Sequence, residues 1–417
     1  MVNANISRSW AWAMFIVASL FYGFEYLLRV IPSIMVPNLM ATYDITAQQV
    51  GVLSAFYYYT YTPLQLVAGT MIDHYGARKI LTLSLIACVI GTYLFGMTND
   101  LTLAKVGRAS IGFGSAFAFV GAMRICSDWL PKNLFATLAG LTTTIGMVGA
   151  ISGEISLALM KDNLGITRTF QACLVFGAVL TVATWMIVRT KQLFSVKCGK
   201  AEVVSLFQHM LFLMKMPIFW NISIIGLCLF MPTTIFASLW AVKFLDDVYQ
   251  VSDPAKFSSM IFLGWAVGGP IVGLLKRYLN AKDKYTLAIG ALGAFIAAVF
   301  IIYFPHIAKH YLLLLMFLFG FFSSSEVLVF DINHILSGPA LCGTSVALTN
   351  MVIMLGGFVQ PLVGVLLDQR HIDKVTHYTA CDYKVALAII PISFLTGFIL
   401  SIFFKEDKVV PPDNIPE

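Results

Sequence analysis

The sequence predicts an all-α integral membrane protein, with twelve transmembrane helices as two pseudo-symmetric six-helix bundles. Three observations carry the prediction. Apolar residues make up 59% of the 417 and charged residues 12%, against roughly 45–50% and about 25% in soluble domains, so there are too few charges to coat a water-facing globule. The apolar residues gather into twelve runs near the ~20 residues needed to cross the hydrocarbon layer. The junctions after the second and eighth runs echo each other, as duplication of a six-run unit requires.

The first six spans cover approximately 10–37, 48–72, 80–97, 101–125, 134–160 and 170–188; the second six cover 218–242, 257–275, 285–304, 311–332, 344–367 and 383–404. All are expected to be helices, because a lipid-exposed strand or loop leaves backbone groups unpaired in hydrocarbon. A β-barrel would show alternating segments of about ten residues, which the continuous runs exclude. Arg8 precedes a first span too long for a signal-peptide core and without a small-residue cleavage site, so that span reads as a retained anchor.

Span two ends in Gly69-Thr-Met-Ile-Asp73-His74-Tyr75-Gly76-Ala77-Arg78-Lys79. A glycine, a carboxylate one turn later, a turn glycine and a basic pair let a helix press on a neighbour, leave the bilayer and anchor in the cytosol. Span five carries Gly149-x-x-x-Gly153, and span eight Gly264-x-x-x-Gly268 and Gly269-x-x-x-Gly273, small-residue spacings that allow close helix packing, static or sliding. After span eight the sequence keeps Gly273, Lys276, Arg277 and Lys282 but loses the aspartate and turn glycine. The loop 190–216 divides the chain, giving an N-terminal bundle 1–189, a cytosolic linker and a C-terminal bundle 217–417 with a short tail.

With the amino terminus in the cytosol, about 15 Lys/Arg fall in inward loops and tails and about 8 outward, the bias that sets orientation. Both termini are therefore expected in the cytosol. The net charge of +6 is the residue of this asymmetry and gives no reason to expect a nucleic-acid partner; the partners expected are lipid, a small molecule and protons. The seven cysteines are scattered singly, so neither disulfide framework nor metal spacing is present, and no cofactor is expected. An enzyme is disfavoured: HExxH and GxSxG are missing, and His306 and His310 lie in an outer loop without a third ligand. No loop is long enough for a sensor's soluble domain.

Gly69, Asp73, Gly76, Arg78 and Lys79, with Arg108-x-x-x-Gly112-x-Gly114 on span four, resemble the two signatures of the major facilitator superfamily, a resemblance that extends over nearly the whole chain. His74 departs from the usual basic residue, and the glycine-proline signature of drug exporters is missing from span five. The resemblance implies a monomeric secondary transporter working by alternating access. The strings Phe56 to Gln65, Ser127-Asp128-Trp129-Leu-Pro131, Gly343 to Asn350 and Gly356 to Asp368 resemble, more narrowly, the phagosomal nutrient transporters of Legionella and related intracellular bacteria. This implies an inner-membrane importer of a small polar metabolite: an amino acid, nucleoside or organic anion. Movement of a siderophore-like compound, and exchange, are the alternatives.

An ionisable residue at mid-membrane costs on the order of 2.5–3.5 kcal/mol on insertion scales, so it normally faces a cavity or a partner. Glu25 and Arg29 stand four apart on span one and share a face; they are either a self-neutralising pair or a titratable acid beside a substrate-binding cation, since span one lines the central cavity in the resembled fold. Arg108, Glu154 and Glu326 join Glu25 as candidates for proton coupling, with strut or interhelical roles open for Arg108 and Glu154. Tyr58 and Tyr61 of a four-tyrosine cluster, with Asn350 and Gln360, are candidate substrate contacts; Gln360-Pro361 is also expected to break its helix and free backbone groups. Asp73 is expected to meet Arg78 or Arg124 and hold an inner gate.

Overall fold

The computed structural model describes residues 7–131, 134–190, 210–279, 281–369 and 377–404, and every regular element among them is helical. Most of the linker and the C-terminal tail lie outside the described residues. In the first half the helices are α1 (Arg8–Tyr43), α2 (Ala47–Tyr75), α3 (Ala77–Met97), α4 (Leu101–Ser115), α5 (Ala118–Trp129), α6 (Phe135–Leu164) and α7 (Ile166–Ile187). The second half holds α8 (Pro217–Pro232), α9 (Ala241–Phe244), α10 (Pro254–Leu279), α11 (Asp283–Tyr303), α12 (Lys309–Ser323), α13 (Leu328–Met354), α14 (Gln360–Asp368), α15 (Ala380–Ala386) and α16 (Ile389–Phe403).

Eleven helical stretches among the described residues are long and apolar enough to cross a membrane. The remaining expected span, α2, has 29 residues and at about 1.5 Å per residue reaches some 43 Å; Gln, Thr and Tyr residues make it less apolar than the eleven. The chain is a multi-pass membrane protein.

Spans four, seven, ten and twelve are interrupted where the sequence suggested continuous helices, and span eleven is interrupted next to Gln360-Pro361, where a break was expected. Proline explains the largest break. Pro232 has no N–H and its ring crowds the carbonyl four residues back; that carbonyl, on Cys228, instead accepts from Ser393 Oγ at 2.8 Å, and the Leu229 carbonyl accepts from Ser323 Oγ at 2.5 Å. Immediately after Pro232 the span widens into π-helix over Thr233–Trp240 and again over Leu245–Tyr249. Span ten passes through a 3₁₀ turn, Ser324–Val327, and span eleven through another, Leu355–Val359, which ends at Gln360-Pro361.

The chain forms two compact units, Met1–Arg29 with Tyr59–Lys197, and Val30–Tyr58 with Cys198–Glu417. In the first, α3 packs between α4 and α7, and glycine sets the spacing: a Cβ on Gly107 would strike the Gly91 carbonyl, and one on Gly149 the Gly23 carbonyl. In the second, α10 packs on α12, α11 on α16, and α8 on α13 and α16. Gly264 and Gly268 press on the α12 backbone at Phe317 and Phe321, whereas Gly269 and Gly273 have nothing within 4 Å of a Cβ position. Half of the small-residue pattern on span eight therefore meets no neighbour at its Cβ positions among the described residues.

Candidate functional site

In the first unit, one face of α1 carries a run of buried polar groups. Tyr22, Glu25, Tyr26 and Arg29 are spaced three, four and seven apart, the repeat of a single helix face. Close approach of α6 shapes that face, because Gly146 lies against the Tyr22 and Tyr26 rings and Gly149 against the Gly23 backbone. Arg29 is 3% exposed and Glu25 fully buried. Two guanidinium nitrogens of Arg29 donate to the same Glu25 oxygen, Nη2 at 2.5 Å and Nε at 2.9 Å. Its carbon lies 4.2 Å from the Tyr26 ring centre and 5.2 Å from that of Tyr61 on α2. Arg29 is thus held by a carboxylate and by two ring faces, away from water.

Arg108 reaches the same helix from α4: fully buried, it donates from Nη1 to the Leu28 carbonyl at 2.9 Å and lies over the Phe95 ring. Glu154, on α6, is also fully buried. Tyr58 belongs to the second unit, where its ring covers Gly357, so the two tyrosines singled out in span two serve different surroundings.

Among the expected residues of the second unit, Gln360 is fully buried and donates from Nε2 to the Thr234 carbonyl at 2.8 Å, while its own carbonyl accepts from Trp240 Nε1 at 3.4 Å. The side chain thus braces the π-helical stretch, and its Oε1 accepts no hydrogen bond among the described residues. Asn350 is half-buried. Glu326, 3% exposed, occupies the 3₁₀ turn of span ten. Its serine neighbours are bonded, Ser324 to Phe321 O at 2.6 Å and Ser325 to Phe322 O at 2.9 Å; the Glu326 carboxyl has neither hydrogen bond nor ion pair among the described residues.

At the end of α2, Asp73 pairs with Arg124, which also donates from Nε to Asp128 Oδ2 at 3.0 Å. Arg78, the other expected partner, turns the opposite way: it stacks 4.0 Å from the Trp185 ring and donates from Nε to the Trp185 carbonyl at 2.8 Å. Gly76 holds φ +87°, and a side chain there would strike Thr190, so this turn requires glycine. Gly69 has nothing within 4 Å of a Cβ position. The helix contacts described at this junction are those of Arg124 and Arg78.

Two clusters escaped the sequence. Lys243 and Asp247, 1% and 0% exposed, form a 2.5 Å ion pair, and Asp247 also accepts from Tyr383 OH at 2.8 Å and meets His377 Nδ1 at 2.8 Å. The i,i+4 spacing that singled out Glu25 and Arg29 is present here too, but both residues lie beyond the expected end of span seven at 242. Asn333, fully buried, donates from Nδ2 to Thr349 Oγ1 at 2.7 Å and Ser223 Oγ at 3.3 Å, tying α8 to both ends of α13; nothing in its sequence neighbourhood advertised this.

Apolar helices broken next to buried charges are the architecture from which membrane transporters are built. The chain belongs to the Major Facilitator Superfamily, whose sequence profile matches residues 12–361. Among its relatives, the "Probable sulfoacetate transporter SauU" of Cupriavidus necator is 26% identical over 163 residues, 39% of this chain and 37% of that protein. The "Probable anion transporter 1, chloroplastic" of Oryza sativa subsp. japonica is 24% identical over 390 residues, covering 87% of this chain and 72% of the relative. The fold matches the crystal structure of a bacterial homologue of the human lysosomal transporter Spinster with a TM-score of 0.69 at 14% identity, over 96% of each chain.

Proposed function

We propose that the chain imports a small organic anion together with protons, and that Arg29 holds the substrate's carboxylate or sulfonate. The observation that carries this is the dehydrated Glu25–Arg29 pair between Tyr26 and Tyr61. Protonating Glu25 removes the internal anion and leaves Arg29 to a substrate anion; deprotonation expels it. The relatives named for sulfoacetate and anions support this substrate class, and amino acids stay within it through their carboxylate, in line with the nutrient-transporter resemblance. The bias of basic residues supports a cytosolic location for both termini in a bacterial inner membrane, and the family resemblance supports a monomer.

One proton carried with a monoanion makes the cycle electroneutral, so a one-unit pH difference sustains about tenfold accumulation. A second proton, for which the isolated Glu326 carboxyl is suited, makes it electrogenic; each 100 mV then adds about 2.3 kcal/mol, or roughly another fortyfold. Export and exchange use the same residues with the gradients reversed or absent.

The test begins with a thermal-shift panel of carboxylates, sulfonates, amino acids, nucleosides and siderophores on purified protein, since a ligand stabilises the folded state by mass action. The hit is then followed into proteoliposomes under imposed pH and voltage differences. Losing a charge-assisted contact of about 1.5–3 kcal/mol in Arg29→Gln is expected to weaken binding roughly 10- to 150-fold. Uptake indifferent to both gradients, or binding unchanged in Arg29→Gln, refutes the proposal.

A further inference from the structure

Span eleven carries a second Gly-x-x-x-Asp, Gly364 to Asp368, that the transport site does not use. Its surroundings lie wholly in the second unit, where the first half of α2 packs along span eleven. Ala47, Gly51, Ser54 and Tyr58 recur at helical spacing and form one face. A Cβ on Gly364 would land on the Ala47 carbonyl; one on Gly51 would lie 2.7 Å from Pro361 Cα and 2.8 Å from the Gln360 carbonyl; one on Gly357 would enter the Tyr58 ring. The two backbones are in near contact at Gly364 and Gly51, and the Tyr58 ring fills the seam at Gly357.

The seam ends on a charge. The first N–H groups of a helix have no partner within it, and those of α2 find one in Asp368: Ala47 N donates to Oδ1 at 3.3 Å and Gln48 N to Oδ2 at 2.8 Å. A carboxylate there also meets the positive end of the helix dipole. Tyr378 holds the carboxylate in place, donating from its hydroxyl to Asp368 Oδ1 at 2.9 Å and from its backbone N–H to Asp247 Oδ2 at 3.4 Å. Burial first, then the Asp368 charge, raises the Tyr378 hydroxyl above the ordinary tyrosine range, so it stays a donor at physiological pH.

We infer that Asp368 is a gating residue: its cap on α2, braced by Tyr378, latches the seam between spans two and eleven, and the latch must release in each transport cycle. Gly-x-x-x-Asp thus marks two helix ends, and the sequence advertised a gate only at Asp73. The latch operates whichever solute or coupling ion is carried.

The test uses full-length protein in lipid nanodiscs. Ser54 is 2% exposed on the seam face, so Ser54→Cys reports opening through its reaction with a water-soluble maleimide, followed peptide by peptide by mass spectrometry. Losing the carboxylate charge at the helix end in Asp368→Asn is expected to speed labelling of position 54 roughly two- to thirtyfold, with a smaller rise in Tyr378→Phe. Cys88, fully buried in the other unit, is expected to stay unlabelled. An unchanged rate at position 54 in Asp368→Asn overturns the latch, and so does a parallel rise at positions 54 and 88, which would mean general loosening.

Discussion

Glu25 and Arg29 are 0% and 3% exposed, so each alone would be a charge far from water. Removing one partner of such a pair costs about 3–5 kcal/mol, whereas replacing both with neutral groups of similar size is often close to neutral. Glu25→Gln and Arg29→Met are therefore expected to lose about 3–5 kcal/mol each. If they acted independently the double variant would lose roughly 6–10 kcal/mol, since energies of uncoupled sites add to within about 0.5 kcal/mol. The double is expected instead to be at least as stable as the better single variant, giving a coupling energy of several kcal/mol. Denaturant unfolding of the four proteins in one detergent, followed by tryptophan fluorescence, measures the cycle. Transport separates the two roles of the pair, because the double variant regains stability but not uptake. Additive losses would refute the energetic pairing on which the substrate site is built.

Asp73 is 59% exposed where it meets Arg124, and an exposed ion pair is worth about 0–1 kcal/mol. Asp73→Asn is thus expected to reach the membrane with nearly unchanged thermal stability while losing transport; normal uptake would remove the inner gate. Gly264→Ala places a methyl group on the Phe317 carbonyl and is expected to destabilise by about 1–3 kcal/mol or more. Gly273→Ala, in open space, is expected to be neutral or to gain up to about 1 kcal/mol from helix propensity; equal effects in denaturant titrations would contradict the packing. Glu326→Gln is expected to leave the fold intact, since its carboxyl bonds to no described group, and to abolish the voltage response of uptake while keeping the pH response. An unchanged voltage response assigns the second proton elsewhere.

The helices were legible because hydrocarbon leaves the backbone no alternative, and runs of about twenty apolar residues declare themselves. Local spacing also exposed Glu25 beside Arg29, since both stand on one helix within one apolar run. What distance in sequence hides was not legible. Asp73 had two arginines within reach on paper, and only packing chose Arg124 by drawing Arg78 onto Trp185. Gly149 and Gly273 stand in identical patterns, yet a side chain on one would meet a backbone carbonyl and on the other no described atom. The Asn333 knot spans 110 residues to Ser223, and its polarity looks unremarkable beside any single neighbour.

The π-helical stretch of span seven has a mechanical consequence. Carbonyls around Pro232 that an unbroken helix would satisfy internally accept instead from Ser323 on span ten, Ser393 on span twelve and Gln360 on span eleven. Straightening or bending that helix alone would strand those three donors in a dry interior, so its flexibility is shared property: four helices must yield together or hold together. A weak point in one helix has become a rivet through the other three.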